Sequence, residues 1–282
     1  MPARSCPAPA PGLLALLASA MFVMLLGGCE YATPDDKPKD PVPALTAAPT
    51  ALETNKQAAL EKLGPVPSAP VLRFAGPVAD AAQAVESSAV AAGTYLVTGS
   101  CTGTTGARIL VSQDDGIHAG LPLNCGATAR IRVHLSSGEA RISLHSDATR
   151  RDAVAAAQLE LLHDAPTPAL SPEDWARGVL GKPGPFERLG ATKLDGAAEL
   201  PDSASNGTFD MSFACLGYRE VQLTVRSRDS GRTLMIERTA CRSIRGVRIV
   251  AKEGGILIRI EPLGSGGDGA FGYRIGPVPG HL

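Results

Sequence analysis

The chain has 282 residues, 44% of them hydrophobic but only 4% aromatic, with 31 Gly and 23 Pro. That composition allows a large Ala/Val/Leu core and argues against aromatic-rich binding grooves. A formal charge of −1 excludes a nucleic-acid binder driven by bulk positive charge, and a mean hydropathy of +0.06 is too low for a polytopic membrane protein.

Residues 1–12 are small and Pro-rich, and they lead into an apolar run over 13–26. A run of about 14 residues is too short to span a bilayer core of about 30 Å but suits the apolar region of an export signal. It ends in Leu26-Gly27-Gly28-Cys29. This box of Leu, two small residues and Cys resembles that of bacterial lipoprotein precursors. The resemblance covers residues 1–29 and implies a signal peptide over 1–28 and a diacylglyceryl group on the Cys29 sulfur. It further implies that Cys29 is the first residue of the mature chain, anchored to the extracytoplasmic face of the cell membrane. Paired acyl chains hold a protein stably where one chain binds only marginally.

The segment that follows, to about residue 50, is rich in Pro, Ala, Asp and Lys and has no apolar periodicity. It reads as an extended tether. Thr50 and Glu53 form a capping box for a helix over 51–63, stopped by Gly64-Pro65, and Ser171, Pro172 and Asp174 start a second helix that runs to about Leu180.

Beyond the tether the chain is duplicated. Gly93-Thr94-Tyr95, Cys101 and Gly103 recur 114 residues later as Gly207-Thr208-Phe209, Cys215 and Gly217. Cys125, Val133, Gly138 and Ile142 recur 116 residues later as Cys241, Ile249, Gly254 and Ile258. Period-two alternation bounded by Gly and Ser turns marks half-buried antiparallel strands in both copies. The predicted fold is therefore mainly β: two tandem, homologous small sandwiches or barrels of five or six strands, each preceded by a short helix. The first repeat covers 51–163 with a β core over 93–161, and the second covers 164–282 with a β core over 207–276. The segments between helix and β core read as irregular. In each copy the turn before Gly138 or Ile256 suggests a hairpin that pairs Val133 with Ile142 and, in the second copy, makes Val250 and Leu257 an outward cross-strand pair.

With Cys6 in the signal and Cys29 lipidated, four cysteines remain outside the cytoplasm, where disulfides persist. Cys101 is in phase with inward Tyr95 and Val97, and Cys125 with Ile131 and Val133. Duplication makes each copy self-sufficient, so the expected bridges are Cys101 to Cys125 and Cys215 to Cys241.

Candidate chemistry is sparse. His118, His134, His145, His163 and His281 read as surface residues, because bridged cysteines and scattered carboxylates leave no ligand set; no metal or cofactor is expected. Ser265 in a Gly-rich run lacks the strand-to-helix elbow of a nucleophile, and Asp114-Asp115-Gly116 is turn chemistry. Trp175 reads as helix packing, and Tyr218 is a loop aromatic that could serve as a sugar platform. Residues 207–282 hold 11 Lys/Arg against 7 Asp/Glu, while 93–163 hold 6 and 6. Arg226, Arg248 and Arg259 project outward by parity and form a candidate surface for an anionic envelope polymer or lipid head group. Val250 and Leu257 form a candidate protein contact. These features favour a noncatalytic envelope binding or scaffolding module. The alternative is an envelope enzyme or enzyme-regulator subunit, which needs an inter-domain pocket with perturbed titratable groups.

Overall fold

A computed structural model describes residues 50–67, 70–78, 84–146, 150–163, 169–204, 206–252 and 254–278. The Cys29 box, nearly all of the tether and His281 lie outside them. Among the described residues no helix is long and apolar enough to cross a membrane.

The first repeat opens with α1 (Ala51–Lys62), whose Thr50 side chain accepts from the Glu53 amide as the capping pattern predicts. Eight strands follow: β1 (Leu72–Pro77), β2 (Val85–Val90), β3 (Gly93–Thr102), β4 (Gly106–Gln113), β5 (Gly116–Asn124), β6 (Ala129–Leu135), β7 (Gly138–His145) and β8 (Val154–Leu162). The second repeats the series with α2 (Pro172–Leu180), β9 (Arg188–Leu194), β10 (Ala198–Asp202), β11 (Gly207–Leu216), β12 (Glu220–Ser227), β13 (Thr233–Ala240), β14 (Arg245–Ala251), β15 (Ile256–Leu263) and β16 (Gly269–Pro277). All ladders between these strands are antiparallel. The first repeat builds sheets β1-β8-β3-β6 and β2-β7-β4-β5. The second builds β9-β16-β11-β14 and β10-β15-β12-β13 in the same order. Two four-stranded sheets in this order make a jelly roll.

Each sandwich closes on its own core. Tyr95, Val97, Ile109, Val111, Val133, Ile142 and Leu144 fill the first. Met211, Phe213, Leu223, Val225, Ile249, Ile258 and Phe271 fill the second. The inward parity read from the sequence holds in both. The bridges are Cys101 to Cys125 and Cys215 to Cys241, each with Cα atoms 4.7 Å apart. They pin β3 and β11 to the corners before β6 and β14.

The structure corrects the sequence reading in two respects. Each β core holds six strands, β3–β8 and β11–β16, within the five or six expected, but the segments expected to be irregular contain β1, β2, β9 and β10, so each sandwich has eight. These four, with β5, β6, β13 and β14, end the four-stranded sheets. An end strand held by backbone bonds along one side can fold without a strong apolar alternation, as β1, β2, β9 and β10 do, whereas β6 and β14 keep theirs.

The second correction concerns the expected hairpins. Strand β6 pairs with β3 while β7 pairs with β2 and β4, so Val133 lies beside Tyr95, and Ile142 lies beside Val111 and Glu86. Val250 pairs with Thr208, and Leu257 with Arg226 and Pro201, on opposite sheets. They are not a cross-strand pair and do not form one apolar patch. Alternation has the same period whether a corner reverses the chain within a sheet or carries it across the core, so periodicity could not separate the two.

The helices occupy equivalent outer faces with different surroundings. Ala59 and Leu63 of the α1 segment pack on Val154 and Ala156 of β8, and Ser100 Oγ donates to the Ala59 carbonyl at 2.6 Å. Trp175, Ala176, Val179 and Leu180 of α2 pack against Ala214 and Ala270 of the second repeat and also against Leu110 and Ile117 of the first. Trp175 Nε1 donates to the Ile117 carbonyl at 2.7 Å. A Cβ on Gly178 would stand 2.6 Å from the Gly120 carbonyl oxygen, so helix and strand touch backbone to backbone. Beside them Gly116 bridges to Leu216, and the Gly217 amide donates to the Asp115 carbonyl at 2.8 Å.

Replacing Cys215 and Cys241 together by Ser should lower stability by about 3.5 kcal/mol on the loop-entropy model, read by urea unfolding at fixed pH. Gly120→Ala should cost about 1–3 kcal/mol through overpacking at the joint. Gly246→Ala, where an added Cβ meets nothing within 4 Å, should leave the unfolding midpoint in place.

Candidate functional site

Packing α2 between the repeats leaves a concave opening on either side of it. Both are lined from both halves of the chain.

The larger cleft, about 610 Å³, lies where the Asp115–His118 segment and β6 of the first repeat face the start of α2, Lys193 and Asp268. Val133, Leu170, Trp175 and Leu216 give it an apolar wall. His118 Nε2 lies 2.8 Å from Asp115 Oδ1, with the histidine side chain 12% exposed. That hydrogen bond holds the Asp115 carboxyl below the usual carboxylate range. Across the cleft Lys193 and Asp268 form an exposed pair at 3.0 Å. An Asp-oriented imidazole could act as a base; Ser136, which also lines the cleft, is fixed through its backbone amide and carbonyl by the Gln113 side chain.

The smaller cleft, about 340 Å³, opens on the other side. It is lined by Arg108, Arg141 and His145 from β4 and β7 and by Arg274 from β16, together with Arg242 from the corner after Cys241 and five serines. Among the described residues no carboxylate lines it. Arg108 Nη1 donates to the Val179 carbonyl at 3.0 Å, where the C-terminal end of α2 favours a cation. His145 Nε2 lies 2.8 Å from Ser143 Oγ. Gly181, at φ +84, ends the helix, and a side chain there would overlap the Arg108 guanidinium and approach Arg274 Nη1 to 3.3 Å. The glycine makes room for the two cations side by side.

Where the sequence placed its candidate anion surface, the structure separates the residues. Arg226 and Arg259 lie on β12 and β15 of one sheet, and Arg248 lies on β14 of the other. Arg248 pairs with Asp210 at 2.9 Å, and Arg259 pairs with Glu199 and Glu261. Outward parity puts a side chain on the outside of its own sheet, and a sandwich has two outsides. These three arginines therefore do not converge. Val250 is 54% exposed and Leu257 half-buried, on separate faces. Tyr218 is buried in the second core and offers no platform. Trp175 packs as expected.

Two arrangements were invisible in the sequence. Arg108 and Arg274 project outward from different repeats and meet only because α2 holds those faces together. In the second repeat buried Asp202 accepts from Tyr273 at 3.0 Å and pairs with Arg188 at 2.8 Å. Burial first, then the Asp202 charge, raises the Tyr273 hydroxyl pKa, so the phenol stays protonated and ties β10 to β16. Among the described residues no group of three or more His, Cys, Asp or Glu could hold a metal.

No family model matches the chain, and no curated protein matches it. It is similar to the solved structure of the PBSX exported protein XepA at 12% identity and a TM-score of 0.26, over 73% of this chain and 85% of that one. It is similar to the CBM22-1-CBM22-2 tandem domain of Paenibacillus barcinonensis Xyn10C at 13% identity and 0.23, over 73% and 86%. A cupin 2 conserved barrel domain protein from Leptotrichia buccalis matches at 9% identity and 0.23, over 76% and 92%. None of these likenesses bears on what this chain binds.

The depressed Asp115 carboxyl contributes stability that is present above its unfolded value near 3.8 and is lost as pH falls through the lower folded value. Asp115→Asn should therefore be less stable than the native chain near neutrality. The difference should shrink as pH drops below about 4, measured by thermal melts across a pH series.

Proposed function

We propose that this protein is a noncatalytic binding module of the bacterial cell envelope, held to the extracytoplasmic face of the membrane by a lipid on Cys29, with its ligand seated in the seam between the two jelly rolls. The observation that carries the reading is that both clefts are built from the two repeats together. Neither repeat alone forms either one, so the duplication creates a recognition surface that one sandwich lacks. Ligand sites favour such concave joints. The anchor rests on the short apolar run ending in Leu26-Gly27-Gly28-Cys29, and the tether gives the module reach from the bilayer.

A second reading, an envelope enzyme, is supported by the His118–Asp115 pair facing the larger cleft. It requires that His118→Gln abolish turnover of an envelope polymer while leaving ligand binding at the seam intact.

Two measurements test the favoured reading. Cys29→Ala should release the chain from membranes or stall it as precursor, and the native N-terminal peptide should carry an acyl mass. Unchanged fractionation with no acyl mass rejects the anchor. In hydrogen exchange on the full-length protein in neutral detergent, fractionated envelope extract should slow amides in β4, β5 and β11. Protection confined to outer sheet faces, or none, rejects the seam as the binding surface.

A further inference from the structure

Resting on the binding-module reading, we propose that the larger cleft takes a monoanionic amphiphile, a hydrocarbon body carrying one carboxylate.

The apolar wall provides the first support. Val133, Leu170, Trp175 and Leu216 line an opening of about 610 Å³, within the roughly 300–1,000 Å³ of sites that hold ligands of drug size. Leu170 is 43% exposed there. Several polar groups around this wall are already spent on each other. Asp115 is bonded to His118, Lys193 pairs with Asp268, and the Trp175 indole donates to the Ile117 carbonyl. A ligand that leaves those bonds in place gains chiefly by covering hydrocarbon.

Arg132 provides the second, and the duplication shows why. Its equivalent by the offset of 116 is Arg248, which lies opposite Asp210 across the β11–β14 ladder and pairs with it at 2.9 Å. In the first repeat the residue opposite Arg132, across the β3–β6 ladder, is Leu96. The carboxylate next along that row, Glu160, is a second strand away, about 10 Å at the usual strand spacing. Arg132 therefore has no ion pair among the described residues, and it lines the cleft with the apolar wall. One repeat neutralises this arginine within its own sheet, and the other leaves it to the seam.

The amount of charge narrows the class. One guanidinium presents two parallel N–H donors, which match the two oxygens of a carboxylate. A phosphate monoester brings a charge of about −1.5 to −2. Asp115 and Asp268 already line the cleft and would repel the excess.

The test is a calorimetric titration of the full-length protein in neutral detergent with phenylbutyrate and octanoate. Emission of Trp175, the chain's one tryptophan, is followed in parallel. Saturable binding of at least one acid is expected, with a change in that emission. The matching alcohols should bind about tenfold more weakly, as loss of a charge-assisted bond requires, and acetate should not bind. Arg132→Gln should weaken acid binding by the same factor and leave the alcohols unchanged, while Arg248→Gln should change neither. Leu96→Asp installs the second repeat's ion pair in the first and should weaken the acids alone. Arg132 is exposed, so its variant keeps the test meaningful if Leu96→Asp fails to fold. Octanoate binding alone identifies an acyl chain, and phenylbutyrate binding alone identifies an aromatic acid. The proposal is overturned if neither acid binds saturably, if acids and alcohols bind equally, or if binding leaves Trp175 emission unchanged. Seam protection by envelope extract without acid binding would reject the amphiphile and leave the binding-module reading standing.

Discussion

The backbone contact between Gly178 in α2 and Gly120 in β5 sets the geometry of everything between the repeats. Helices and sheets normally meet through side chains, at about 10 Å. Here two glycines let the helix sink until carbonyl oxygens take the place that side chains would occupy. That depth brings Trp175 within hydrogen-bonding distance of the Ile117 carbonyl and lets Gly116 join β11. A larger residue at either glycine would lift the helix, and the seam with both its clefts would change shape.

The second repeat lacks a counterpart of this contact on its own outer sheet. By register, Leu110 pairs with Gly120 in the first repeat, and Thr224 pairs with Ile236 in the second. Ile236, 60% exposed, stands where a further helix would need a glycine. Around it the outer face of β10-β15-β12-β13 carries ion pairs instead of an apolar seat. That face of the second repeat is thus a solvated surface. At the other end α1 closes the first sandwich through Ala59, Leu63 and the Ser100 hydroxyl.

The two openings beside α2 differ in chemistry because opposite margins of the same sheets meet there. On one side the β4–β5 turn and β6 bring Asp115, His118 and His134 against Lys193 and Asp268, a mixture of signs that pairs internally. On the other, the outward positions of β4 and β7 face β16 and the corner after Cys241, and among the described residues four arginines and five serines line the opening. The Cys215–Cys241 bridge matters here beyond stability, because it fixes the corner from which Arg242 approaches.

Much of the architecture was legible without coordinates. The duplication, the inward parity of both copies, the helix caps at Thr50 and Ser171, and the pairing of four cysteines follow from periodicity and offset, because each is a local constraint that repeats along the chain. Strands β1, β2, β9 and β10 were not legible, since a sheet-end position can be held by backbone bonds without the alternating apolar residues that mark β6 and β14. The course of the chain from β6 to β7 was not legible either, because alternation is the same for a hairpin and for a crossing between sheets. The seam lay furthest from the sequence. That Arg108 and Arg274, 166 positions apart, share a recess while Arg226 and Arg248 do not depends on which sheet face each occupies and on what a helix buries between them, and only the packed repeats decide that.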